Sequence, residues 1–142
     1  MSEKERFAQT AQKVAALMKA NFDLVAYECQ IKKNRTFSIL TNKASYICTL
    51  ELAISFKQLA DNGNACNKAE ILLLPEEFPA FSFTLKEHAI PLPADSCQKL
   101  LANHRLISYY IETLEPPEHF AARLSAAFKT IEPLDNQSIW VY

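Results

Sequence analysis

The stretch Val25-Ala26-Tyr27-Glu28-Cys29-Gln30-Ile31 places apolar and polar side chains in alternation. Successive side chains of a strand point to opposite faces of a sheet, so this period of two predicts a half-buried strand. Phe37 and Ile39 continue the apolar face on a second strand, after a turn expected at Lys33-Asn34-Arg35. Asparagine tolerates the left-handed backbone that such a turn needs. A second turn at Asn42-Lys43 leads into a third strand with Tyr46, Cys48, Leu50 and Leu52 inward. In this meander Cys29 stands opposite Ile39 and Cys48 opposite Phe37. The two thiols then share a core, but two strand spacings of together about 9.5 Å separate them, too far for a disulfide.

Before the meander, Ser2 and Glu5 fit a capping box, and Phe7, Ala11, Val14, Met18 and Phe22 recur at helical spacing. This predicts an amphipathic helix packed on the sheet. After it, Phe56, Leu59 and Ala60 suggest a short helix, and Asp61-Asn62-Gly63-Asn64 a loop. Ile71 to Leu74 reads as a strand ended by Pro75, and the alternation of Phe81, Phe83 and Leu85 as another strand. Asp95, with Gln98 three residues on, reads as the cap of a helix whose face carries Cys97, Leu100, Leu101 and His104. The strand formers Ile107-Ser108-Tyr109-Tyr110-Ile111 favour a helix followed by a strand over one helix running to Leu114. Pro117 opens a last helix with Phe120, Leu124, Ala127, Phe128 and Ile131 inward. Ile139-Trp140-Val141-Tyr142 reads as a terminal strand or a docked aromatic anchor. The order predicts one compact α+β domain over 1–142, an N-terminal helix packed on a largely antiparallel sheet with C-terminal helices.

Composition narrows the chemistry. With 142 residues and 49% apolar side chains, the chain can bury a core without staples. No apolar run approaches the length of a membrane span, and the N-terminus lacks the pattern of a signal peptide. Gly63 is the only glycine. Phosphate-cradling loops and the G-x-S-x-G elbow need several glycines, so these routes to nucleotide binding or hydrolysis are excluded and no cofactor is expected. Cys29, Cys48, Cys66 and Cys97 show no C-x-x-C spacing, and with His88, His104 and His119 they form no metal-ligand pattern. Reduced thiols in the cytoplasm, and no metal, are the expectation.

Residues 1–71 carry ten basic and seven acidic groups, and the excess centres on Lys32, Lys33, Arg35 and Lys43. Near Phe37 these could line a nucleic-acid-contacting ribbon, but no aromatic platform or extended basic face accompanies them. They read instead as solvated turns, and nucleic acid is not the expected partner.

Two sets of residues are candidate sites. Cys97, in the first turn of its expected helix, would have its thiol activated by the helix dipole, and His88 lies nine residues upstream. That pair would suit acyl-transfer or thioester chemistry. Phe78-Pro79, His88 and Cys97 resemble the surroundings of the active cysteine in ubiquitin-conjugating enzymes, except that Ala89 and Ile90 replace that family's proline and asparagine. Glu76-Glu77, Glu112, Glu115 and Glu118 read as solvated charge. The second set is aromatic: Tyr109, Tyr110, Trp140 and Tyr142 exceed what the core needs, and such residues anchor protein interfaces. A last strand at a sheet edge could pair with a partner by strand addition.

The leading amphipathic helix, the meander and Leu100-Leu101-Ala102-Asn103 together resemble the small acidic chaperones of bacterial type III secretion, over residues 3–52 and more loosely 94–131. The resemblance implies a cytosolic dimer that binds secreted proteins without catalysis. The leading expectation is therefore a non-catalytic protein-binding adaptor or chaperone-like module, whose partner is another protein or a second copy. The alternative is a cysteine-dependent enzyme using Cys97 with His88.

Overall fold

The N-terminal cap forms as the sequence predicts. The Ser2 hydroxyl accepts a hydrogen bond from the Glu5 amide at 3.1 Å and opens helix α1, Glu3–Met18. The protein is described by a computed structural model covering residues 2–102, 106–131 and 138–140, with backbone only for Phe37, Ile39 and 138–140. Ala11, Val14, Ala15 and Met18 bury one stripe of α1.

Three antiparallel strands follow; the second turn falls at Asn42-Lys43 as expected, but the first does not lie where the sequence put it. Strand β1 is Phe22–Val25, β2 is Glu28–Leu40 and β3 is Ser45–Lys57. The first turn is Ala26-Tyr27, with φ of 47° and 68°, and β2 runs unbroken through Lys33-Asn34-Arg35. What looked like a turn is a strand whose inward polar residues have partners. The Lys33 ammonium donates to the Met18 carbonyl at 3.4 Å, at the electronegative end of α1. Arg35 forms a buried two-pronged ion pair with Glu77, at 2.7 and 2.8 Å. Cys48 does pair with Phe37, but Cys29 pairs with Phe56 instead of Ile39. Eight residues of β3 therefore separate the two thiols' positions, roughly 26 Å of strand.

Phe56, expected on a short helix, ends β3 with its ring 5.0 Å from that of Phe7. The loop at Asp61–Asn64 is present, and Gly63 adopts φ of 91°, a backbone that side chains disfavour. Strand β4, Ala65–Leu73, stops before Pro75 as expected.

Residues 78–87 form helix α2, Phe78–Glu87, not a strand. Phe81 and Leu85 face the core one helical turn apart, while Phe83 is 66% exposed. The period of two in Phe81-Phe83-Leu85 therefore carried no information about burial. Residues 97–102 form a strand, β5, Cys97–Ala102, where a helix was expected. Strand β6, Ile107–Glu115, and helix α3, Pro117–Lys129, match the expected strand and last helix. All five residues of the predicted inner stripe of α3 are buried.

The sheet order is β1-β2-β3-β4-β6-β5, antiparallel throughout, with a short strand β7, Ser138–Trp140, added in parallel to β2. Odd-numbered residues of β4 and β6 face α1, α2 and α3 and build one core with them. Even-numbered residues of those strands line an open face that no described helix covers. This is one α+β domain with its helices on one side of the sheet.

Candidate interaction edge

Among the described residues strand β5 pairs with β6 alone, in the register Cys97↔Glu112 to Ala102↔Ile107, and ends the sheet. Every residue of β5 is exposed. Leu101, 74% exposed, points to the open face, and Leu100, 51% exposed, to the helix side. An edge strand leaves a row of N–H and C=O groups without ladder partners, so β5 is a template for a further strand.

Arg123 anchors the end of β6 and the chain that leads into β5. Its guanidinium is 1% exposed and forks onto the Glu115 carboxylate at the end of β6. It also donates to the Ile90 and Pro91 carbonyls, each at 3.1 Å, which ties the approach to β5 onto α3. Glu115 and Glu77 both read from sequence as solvated charge; each is instead a buried partner of an arginine. Neither pair has a short-range signature, since Arg35 and Glu77 lie 42 residues apart. A hint was available for the other pair: Arg123 sits three positions after Phe120 and one before Leu124, on the predicted inner stripe of α3.

Beside the edge, on the open face, Glu112 accepts hydrogen bonds from the Tyr110 hydroxyl at 2.8 Å and from the Cys66 thiol at 3.6 Å. The Tyr110 bond holds the Glu112 carboxyl below its ordinary range. Burial, then the neighbouring carboxylate, pushes Tyr110 up to about 12, and the same two causes raise Cys66. At neutral pH the group is one carboxylate with two neutral donors. Cys66 is therefore a thiol and not a nucleophilic thiolate. The Lys99 ammonium lies 5.9 Å from the centre of the Tyr110 ring.

The site residues expected from sequence scatter. Tyr109 belongs to the core, 5% exposed, with its ring tilted against Phe78 and edge-on to Phe81, so it is not a surface anchor. Its hydroxyl donates to Gln98 at 2.7 Å and helps seat β5. Tyr110 is on the open face one pair from the edge. Trp140 lies opposite Leu40 on β7, four strand spacings from β6, about 19 Å across the sheet. Tyr110 and Trp140 therefore form no common patch. Tyr142 and His104 lie outside the described residues.

Cys97 opens an edge strand, which lacks the converging amides of a helix start, so the argument for its activation no longer holds. His88 follows α2, and its Nδ1 accepts the Ile90 amide at 3.0 Å. Among the described residues no hydrogen bond joins it to Cys97, and no cluster of three or more His, Cys, Asp or Glu could hold a metal. No described helix is long and apolar enough to cross a membrane. No family model matches the chain, and neither a curated protein nor a solved structure does.

Proposed function

We propose that this chain is a non-catalytic protein-binding module, an adaptor or chaperone-like protein, that receives an extended segment of its partner along the free edge of β5. The observation that carries the reading is an edge strand of six residues with none buried and a leucine exposed on each of its faces. Main-chain pairing gives such a site affinity, and the side chains on its two faces give it specificity. The rigid clamp of Arg123 on Glu115 and the preceding loop limits the ordering cost that binding would carry.

A cytosolic setting belongs to the same proposal, and the four free cysteines fit a reducing compartment. So does the likeness to bacterial secretion chaperones, of whose features the leading helix and the antiparallel strands after it are present here.

The test compares capture of partners from the native lysate by three forms of the chain. Leu101→Asp puts a charge on the docking edge, and Ile47→Asp puts one on an equally exposed residue of β3 far from it. A protein retained by the wild type and by Ile47→Asp, but lost with Leu101→Asp, supports the reading. Equal retention by all three removes β5 from the interface.

A further inference from the structure

We infer that the segment received by β5 carries a carboxylate: an antiparallel strand reading apolar–apolar–acidic opposite Leu101, Leu100 and Lys99. This rests on the proposed use of the β5 edge and specifies the chemistry of its occupant. Residues directly opposite across a strand pair bring their Cβ atoms to about 4.5–5.5 Å, so each exposed side chain of β5 selects the one that faces it.

Leu101 and Leu100 point to opposite faces and both leave apolar surface in water. An incoming strand that covers both therefore needs two consecutive apolar residues, where an ordinary half-buried strand would alternate. Lys99 supplies the third requirement. Its ammonium is held on the open face over the Tyr110 ring, and among the described residues it makes no ion pair. Opposite charges facing one another across a strand pair attract, and like charges repel. Antiparallel pairing is the more stable ladder per residue, which sets the order of the motif.

The same charge argues against a second copy as the occupant. The edge reads Cys97-Gln98-Lys99-Leu100-Leu101-Ala102 and contains no carboxylate. No register of two such edges therefore offers Lys99 an opposite charge, and the register that sets Lys99 opposite its own copy brings like charges together, a device that discourages edge-to-edge pairing.

The experiment uses the full chain, labelled with nitrogen-15, and two capped hexapeptides titrated to millimolar concentration. One reads Thr-Val-Val-Glu-Thr-Thr, and the other has Lys in place of Glu. The first is expected to slow amide exchange across Cys97–Ala102 and to bind about five-fold more tightly than the second. Lys99→Glu, at an exposed position, is expected to invert that preference. Protection of β5 by both peptides with equal affinity would overturn the acidic motif and leave strand addition standing. Failure of both peptides to protect β5 would overturn strand addition and the motif with it. A concentration-dependent dimer that already protects β5 in the free protein would assign the edge to a second copy.

Discussion

Strand β6 has two neighbours, and they differ in every respect that burial can register. On one side, β4 alternates buried and accessible residues over its nine positions, with Ala65, Asn67, Ala69, Ile71 and Leu73 facing the helices. On the other, β5 has no buried residue at all. Both strands are antiparallel to β6 and both are bonded to it along their length. The difference is position. An interior strand packs against the helices and is bonded on two sides, while β5 lies beyond the helices' cover and is bonded on one. Strand β6 is thus flanked by a packed strand on one side and an exposed one on the other.

The contrast can be broken first at the clamp that positions the open side. Glu115→Ala strands a buried guanidinium without its carboxylate, and this is expected to cost about 3–5 kcal/mol in urea unfolding. A loss under 1 kcal/mol would mean that the pair is solvated. Next, the two neighbours of β6 should respond unequally to the same truncation. Ile71→Ala in β4 leaves a cavity in the core and is expected to cost about 2–5 kcal/mol, whereas Leu100→Ala in β5 is expected to cost about 1 kcal/mol or less. Equal costs would contradict the assignment of β5 to an exposed edge.

Alkaline titration reports on the two faces of β6 together. Burial pushes Tyr109, on the helix side, up to about 12, and Tyr110, on the open side, reaches about 12 with Glu112 adding to burial. These values lie above the ordinary 10, so the neutral hydroxyls favour the folded state. Their contribution is complete below pH 10 and is lost as the pH rises from 10 towards 12. Tyrosinate absorbance followed alongside circular dichroism is expected to show these two residues ionising late and with unfolding, and Tyr110→Phe to soften that limb. An unchanged limb would remove Tyr110 from it. The smallest effect is expected on the edge itself: Leu101→Thr should leave stability within about 0.5 kcal/mol, while weakening any bound strand.

The same contrast explains what could be read in the chain beforehand. Where a strand or helix packs one face against the core, its period is written in the residues. The α1 stripe, the end of β4 at Pro75 and the inner face of α3 were legible for that reason. Strand β5 was not. With neither face buried, nothing enforces a period of two, and Cys97, Leu100 and Leu101 fell by chance at the spacing of a helical stripe. Helix α2 failed in the opposite sense, because exposed Phe83 completed a false strand pattern. The charges failed for a third reason. Arg35 and Glu77, like Arg123 and Glu115, are buried only because each meets the other across the fold, and residue type alone predicts solvent. The candidate site was legible only in part: an edge was expected at the last strand with tyrosine and tryptophan as its anchors, whereas the exposed edge strand is β5, and Tyr109 lies in the core.

Amide hydrogen exchange of the free, unliganded protein tests the central claim most directly. If β5 is an open edge, the amides of Cys97–Ala102 that are not bonded to β6 exchange orders of magnitude faster than those of Ala65–Leu73, which open only with the whole domain. Exchange as slow in β5 as in β4, in a protein shown to be monomeric, would mean that the edge is already covered and that no partner strand is received there.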